Sequence, residues 1–512
     1  MAKMLPKFRN LSIEHLWPLT ALIGIFIFVN THPIRPHDFW WHIAAGRELA
    51  LTGRIPLVDT YSFTAPGMPY PAYQTYWLME WVLYHVYQFG GAPLVVLFQT
   101  ALVISAYGLT LRLARQITGS WRNATFATLF AAALGMNDWN VRPQTVTFLL
   151  APLFLNSIFA YRRQARRWLL VIFPIGMLLW VNSHGSFPLG LVLIGLWGID
   201  EAWNALSTRA WKPLLAPGIA LGTAIVACLL NPRGPAVFGY IATMTTDPII
   251  QNLVPEWSPP TFSTLSGQLF LGGLLLSAAI LALSPKRPSP LQLFTFLVFG
   301  ALGLRTARGI IWFGLVMAPV LAEHVAQISA LAGQHIGKLQ LANHKIGGAS
   351  EPTQATTKTQ ALLNRVVMAI LLLGALSSLP WFKQLWPLSP EKAGVISAET
   401  PIAATEFLLQ TRPPGPIFHA MPFGSYLIWA AQPEYPVFVD PRIDLYPAEV
   451  WLEYLRISAA TPGWEERLAH YGVQTLMLSP QEQPGLVTAV QASNRWEEVY
   501  RDAVCIILVL KE

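Results

Sequence analysis

Eleven runs of apolar residues divide the first three quarters of the chain, and they constrain its fold more than any motif does. Their cores lie at Leu16–Val29, Ala92–Ala114, Ala124–Met136, Val146–Tyr161, Trp168–Val181, Phe187–Trp203, Leu214–Leu230, Leu269–Leu283, Leu291–Leu304, Ile310–Ala326 and Leu362–Trp381. A helical crossing of the hydrocarbon core takes about 20 apolar residues. The runs therefore predict a polytopic α-helical membrane protein of about 11 transmembrane helices, the shorter ones tilted or locally broken. Composition agrees: 12% of the 512 residues are charged, against roughly 25% in a soluble globular chain. A disordered chain, a coiled coil and a disulfide scaffold are excluded on the same ground. Cys228 and Cys505 have neither framework nor metal-ligand spacing and read as buried thiols. No basic face is interleaved with exposed aromatics, which argues against nucleic acid as a partner.

Flanking charge orients the runs. With the N-terminus in the cytoplasm, 18 Lys and Arg residues fall on inner segments and 7 on outer ones, as the positive-inside rule requires. The stretch MAKMLPKFRN lacks a small-x-small cleavage site downstream, so Leu16–Val29 is expected to be a retained first helix. An odd number of crossings then places residues 383–512 on the outer face, in the periplasm or cell exterior. The charge balance divides at the same place, with net +13 over residues 1–382 and net −6 over residues 383–512.

Three regions follow: a membrane domain over 1–382 with a long first outer loop at 30–91, a cytoplasmic loop at 327–360, and a small extracytoplasmic α/β domain at 391–512. Within the first outer loop, His37–Thr52 and Tyr76–Phe89 are amphipathic and rich in Trp and Tyr, which suits helices lying in the interface. The cytoplasmic loop ends in SEPTQATTKTQ, a linker by composition. In the tail, Ile402–Gln410 and Trp464–Tyr471 read as helices, and Pro416–Ala420, Val437–Asp440, Gln474–Leu478 and Val504–Leu510 as strands.

The polar residues that stand out collect at the outer ends of the runs. HDFWWH sets Asp38 and His42 one helical turn apart. A carboxylate beside apolar surface suits a general base toward an acceptor hydroxyl; Asp38 is equally placed to cap the helix starting at Phe39. GMNDWNVRPQ gathers Asp138 and Arg142 in a turn richer in acid, amide and guanidinium than a turn requires, and VNSHGSF adds His184, otherwise an interfacial histidine. PEWSPP contributes Glu256, and LRTARG contributes Arg305 and Arg308, three apart on one face. Outer arginines suit a phosphate; the competing reading is an ion pair with an outer-loop acid or with anionic head groups. Asp and His from separate loops also suit a divalent cation, but loop separation leaves no ligand spacing to check, and the metal stays unassigned. FVDPRIDLYP in the tail reads as a structural ion-pair cluster of Asp440, Arg442 and Asp444.

The run DFWWHIAAGRELALTGRIPLVDTYSFTAPG, then RPQ after Asp138, WVNSHGSFPLG, NPRG followed by EWSPP, and R-x-x-R resembles bacterial polytopic proteins of the glycosyltransferase-C superfamily. The likeness is to polyprenyl-phosphate-sugar-dependent enzymes of the protein mannosyltransferase and aminoarabinose transferase type. It covers most of residues 30–320, and FGSYLIW with VFVDPRIDLYP is similar to the same group's extracytoplasmic domain. The resemblance implies a glycosyltransferase, expected to invert, that moves a sugar from a polyprenyl-phosphate donor to a lipid, glycan or protein acceptor at the outer membrane face. It implies Asp38 as catalytic acid position and Asp138 as the second acid. His42 joins them as a candidate orienting group, with Arg142, His184, Glu256, Arg305 and Arg308 as substrate-binding candidates. Phe39 replaces the second acid of the protein mannosyltransferase pair, and the WWDYG-type motif of oligosaccharyltransferases is absent. The rival readings are a transporter or flippase of lipid-linked sugars, which would need charges spread through the membrane depth, and a non-catalytic envelope assembly protein. The tail is expected to shape acceptor choice and to hold no catalytic residue.

Overall fold

The computed structural model describes residues 12–247, 251, 253–343, 354–386 and 388–511. Each apolar run lies on a helix. Among the described residues, seven helices are long and apolar enough to cross a membrane. They are α1 (Ile13–Thr31), α3 (Tyr73–Thr118), α5 (Thr145–Gln164), α7 (Pro188–Thr208), α10 (Leu265–Leu283), α12 (Ile310–Asn343) and α13 (Gln354–Ser377). The other four runs form α4 (Trp121–Gly135), α6 (Ile172–Val181), α8 (Leu215–Cys228) and α11 (Pro290–Arg305). At 1.5 Å per residue these are short of a hydrocarbon core about 30 Å thick, so length alone does not make eleven crossings.

Two further helices, α2 (Phe39–Thr52) and α9 (Ala236–Thr246), lie between spans. Gly90 and Gly91 break α3 into two limbs, Gly91 at φ +63°, a left-handed conformation that a side chain resists. The limb before the kink holds the amphipathic stretch Tyr76–Phe89, and the limb after it is the apolar run. Gly46 of α2 packs on the first limb so closely that a Cβ there would lie 2.1 Å from the Glu80 carbonyl oxygen. Behind them the bundle is tight because small residues line its seams: Ala124, Ala127 and Ala131 of α4 are fully buried, and Gly314 of α12 faces the Ala131 backbone.

The segment expected to be a loop at 327–360 is largely helical. α12 continues to Asn343 and α13 starts at Gln354, because AQISALAGQHIGKLQLAN holds good helix formers and no proline. Residues 344–353, with most of the SEPT linker, lie outside the described residues.

The tail carries a four-stranded sheet of β1 (Ile417–His419), β2 (Thr475–Leu478), β3 (Trp496–Arg501) and β4 (Ile506–Leu510), in the order β1-β2-β4-β3. β1 and β2 run parallel, with Phe418 opposite Leu476; the other pairs are antiparallel, with Met477 opposite Ile507. Helices at Ile402–Thr411 and Trp464–His470 stand where expected. The expected strand at Val437–Asp440 does not join this sheet, since Val437 instead bridges Ser62 of the first outer loop. β3 is a strand the sequence reading missed: three of its six residues are charged and four are exposed, so it lacks the apolar alternation by which strands are read.

Tail and first loop are interlocked. Ile34 pairs with Ile396, its N–H donating to the Val395 carbonyl at 2.9 Å and its carbonyl accepting from Ser397 N–H at 2.8 Å. At the centre of the contact, Arg442 is fully buried, its guanidinium donating to Asp440 (2.8 and 2.7 Å), to Asp59 of the loop (2.6 Å) and to the Tyr73 hydroxyl (2.6 Å). Tyr446 donates to the same Asp440 carboxylate. The expected ion pair in DPRID is present, and its second acid is Asp59 rather than Asp444.

Candidate active site

The loops at one end of the bundle and the tail enclose a cavity of about 860 Å³. Its walls include Asp38 and His42, Arg142, His184, Glu256, Arg308, and from the tail Lys392, Ile443, Asp444 and Glu482.

Asp38 occupies the N-cap position of α2, yet its side chain makes no cap hydrogen bond. Its Oδ2 instead forms an ion pair with Arg142, 2.7 Å from Nε. Arg142 also donates through Nη1 to both Glu256 oxygens, at 2.7 and 2.9 Å, and Arg308 Nε donates to Glu256 Oε2 at 2.9 Å. The Glu256–Arg308 contact exists because the two turns are tied, Ala307 N–H donating to the Ser258 carbonyl at 3.0 Å. Burial disfavours the Glu256 anion, but the two guanidiniums outweigh it and hold the carboxyl down at about 2. Arg308 lies over the Trp257 ring at 5.0 Å, and among the described residues its terminal nitrogens have no partner. With Arg142 Nη2, which has no partner among the described residues either, they are uncommitted positive donors of this lobe.

Asp138 is placed differently from expectation. Its neighbours Asn137 and Trp139 line the cavity and it does not. Burial, with the Glu256 charge adding to it, pushes its carboxyl up to about 8 despite Arg142 and Arg308. Asp138 is therefore neutral at pH 7, suited to tuning the lobe rather than to meeting a substrate. The consequence for stability has a definite sign. The folded protein keeps a proton here that an unfolded carboxyl near 3.8 gives up, so stability should fall as pH rises from about 4 through about 8. Asp138→Asn should flatten that part of the profile, as read from thermal midpoints across the range; an unchanged slope would show that Asp138 titrates normally.

His184 Nδ1 accepts from the Ser186 backbone N–H at 3.1 Å and from its hydroxyl at 3.0 Å, and the ring stacks on Tyr76, ring centroids 5.4 Å apart. Burial and the charges of Arg308 and Arg142 lower its pKa to about 3, so the ring is neutral. His42 bonds through Nδ1 to Glu80 Oε1 at 2.9 Å, both side chains buried. Burial, then Arg142 and His184, keep its ring uncharged. Arg305 is not part of the site: it is exposed and absent from the cavity wall, because it ends α11 whereas Arg308 sits in the following turn. Asn182 serves structure, its Oδ1 accepting from Trp77 Nε1 at 2.8 Å.

Glu80 and Asp444 were not singled out as site residues from sequence. A lone acid inside the apolar stretch Tyr76–Phe89 was the available signal for Glu80, since a buried carboxyl needs a partner. Asp444 was assigned to the ion-pair cluster. It instead accepts from Tyr70 (3.2 Å) and Tyr240 (3.3 Å) at the cavity wall, and burial raises its pKa. Among the described residues no three His, Cys, Asp or Glu side chains converge as a metal-ligand set.

No protein-family profile and no curated protein matches the sequence. Solved structures do. ArnT from Cupriavidus metallidurans, bound to undecaprenyl phosphate, superposes with a TM-score of 0.52 over 96% of this chain and 97% of that one, at 14% identity. The chain has the fold of the glycosyltransferase-C proteins. The mycobacterial arabinofuranosyltransferase AftD matches with a TM-score of 0.57 at 13% identity, over 98% of this chain and 40% of that longer one. The oligosaccharyltransferase AglB from Archaeoglobus fulgidus, in complex with an inhibitory peptide and a dolichol-phosphate, matches at 0.50 and 12% identity, over 92% of this chain and 70% of that one.

Proposed function

We propose that the protein is a membrane glycosyltransferase that takes a sugar from a polyprenyl-phosphate donor and passes it to an acceptor hydroxyl at the outer face of a bacterial inner membrane. The observation that carries this reading is the single cavity in which Asp38, Arg142, Glu256 and Arg308 form one connected lobe. Among the described residues Asp38 Oδ1 has no partner, while Arg142 pairs with Oδ2, which is how a general base is held toward a hydroxyl. Arg308 offers its free nitrogens to the phosphate, whose charge grows as the sugar departs. The acceptor oxygen gives its proton to Asp38 and bonds to the anomeric carbon as the bond to the phosphate oxygen breaks. A single displacement of this kind inverts the anomeric centre.

The transporter reading requires polar groups through the membrane depth, whereas these converge at one end of the bundle. Purified protein supplied with polyprenyl-phosphate sugars should release or transfer the sugar; retention of every donor intact would favour a transporter or an assembly protein. The orientation carries its own test. A reporter fused after Glu512 should be active only outside the cytoplasm, and cytoplasmic activity would overturn the placement of the cavity.

A further inference from the structure

A second polar group lines the cavity, and its chemistry differs from that of the Arg142 lobe. Asp444, two residues after the buried Arg442, accepts through Oδ1 from Tyr70 of the first loop at 3.2 Å and through Oδ2 from Tyr240 of α9 at 3.3 Å. Its charge bears on Tyr76 of α3 as well. Tyr76 in turn stacks on His184 and meets the His42 ring edge-on, with centroids 5.4 and 5.5 Å apart. The wall therefore runs from Asp444 to His42, whose backbone N–H donates to the Asp38 carbonyl one turn away.

Two members of this wall are held in place but not satisfied. His42 is 5% exposed and tied through Nδ1 to Glu80, which leaves Nε2 without a partner among the described residues. A nitrogen buried to this degree gains from a hydrogen bond that the protein does not supply. Each Asp444 oxygen has accepted one tyrosine hydroxyl and keeps a second lone pair.

Charge and backbone narrow what can fill these positions. Two cations stand behind the wall, Arg442 over the Tyr70 ring at 5.6 Å and Arg233 over the Tyr240 ring at 5.5 Å, and neither lines the cavity. Glu482 adds an exposed acid from the tail. Met421, Ile443, Pro422 and Pro441 supply apolar surface, and the two prolines have no N–H to offer a peptide main chain. An anionic head group would meet acids here. A sugar ring meets complementary groups: its hydroxyls donate to Asp444 and exchange hydrogen bonds with imidazole and phenol, while its C–H faces cover the apolar residues.

We propose that His42, Tyr70, Tyr76 and Asp444 form the acceptor subsite, and that the acceptor is a saccharide without net negative charge, read through its hydroxyls. This deepens the proposed function and rests on it only for naming the bound saccharide the acceptor. The position fits the reaction. A sugar hydroxyl seated beside His42 lies one helical turn from Asp38, to which it gives its proton as its oxygen bonds to the anomeric carbon and the phosphate leaves with the bonding pair.

Binding tests this without turnover. Full-length protein in phosphatidylcholine nanodiscs is titrated, by saturation-transfer NMR, with methyl glycosides of glucose, mannose, galactose, N-acetylglucosamine and arabinofuranose. Galacturonate, glucose 6-phosphate and a capped serine tripeptide are the comparison probes. At least one neutral glycoside should bind, and Asp444→Asn and His42→Gln should each weaken it about tenfold, the scale of one lost hydrogen bond to a charged or buried group. Arg308→Gln, in the other lobe, should leave it unchanged. Thermal midpoints show whether the variants are folded; if Asp444→Asn is not, Tyr70→Phe removes a hydroxyl of the same wall, keeps the ring and carries the same expectation. Binding of none of the neutral glycosides, or binding to which the wall variants are indifferent, would overturn the inference. So would tighter binding of the anionic sugars, or of the peptide, than of every neutral glycoside. The two readings fail separately. A saccharide that binds while every polyprenyl-phosphate sugar stays intact counts against the proposed function, whereas donor hydrolysis without saccharide binding leaves the glycosyltransferase and removes the saccharide.

Discussion

Arg442→Met should lower the stability of the folded protein by about 3–5 kcal/mol, the cost of leaving buried acids without their partner. Arg442 is sealed from solvent with Asp59 and Asp440, and its hydrogen bonds to the first loop and to Tyr73 join the tail to the membrane domain. Methionine matches much of the side-chain length but neither neutralises the acids nor donates to them. Thermal midpoints in detergent, together with protease cleavage inside residues 53–72, would read the loss. Adding Asp59→Asn and Asp440→Asn to the variant removes the stranded charges and should recover a large part of it. A change below about 1 kcal/mol in Arg442→Met would mean that solvent reaches the cluster and that the tail rides loosely on the loop.

The same cluster changes what a truncation can show. A tail that only shapes acceptor choice predicts that deleting residues 391–512 impairs transfer to an acceptor more than hydrolysis of the donor. With Asp59 and Tyr73 bound to Arg442, and with Lys392, Asp444 and Glu482 in the cavity wall, the deletion should disturb both. Substitutions at Asp444 are the sharper way to separate acceptor recognition from donor chemistry.

What sequence could show followed from local rules. Apolar runs marked the helices, and the amphipathic stretch before Gly90 was separable from the run after it because its Trp and Tyr content changes at the kink. Short apolar runs marked β2 and β4, whose side chains are buried or partly buried, but not the charged edge strand β3. The cavity residues stood out because charge is scarce in this chain. Their pairings were not legible, since Asp38, Arg142, Glu256 and Arg308 come from four separate segments and only folding decides which carboxylate meets which guanidinium. Arg305 and Arg308 looked equivalent by helical spacing; the break between α11 and the following turn sends them to different surroundings. Likewise Asp444 looked like a partner of Arg442 by spacing, whereas Asp59, almost four hundred residues away in sequence, takes that place.

Asp38→Asn should reduce turnover of a competent donor by roughly 10² to 10⁴, the usual contribution of a general base, while expression and membrane insertion stay normal. The substitution is informative because asparagine keeps a carbonyl oxygen that can accept from Arg142 Nε, and Glu256 continues to hold Nη1 of the same guanidinium. Two roles for Asp38 then separate kinetically. If Asp38 is the base, kcat should fall in the amide with KM for the donor little changed. If it only braces Arg142, the amide should raise KM and leave kcat in place. Asp38→Glu retains a carboxylate at a different reach and should recover part of kcat only in the first case. Near-normal kcat in Asp38→Asn would remove Asp38 from proton transfer and pass the question to His42, whose Nδ1 is tied to Glu80 and whose ring also borders the cavity.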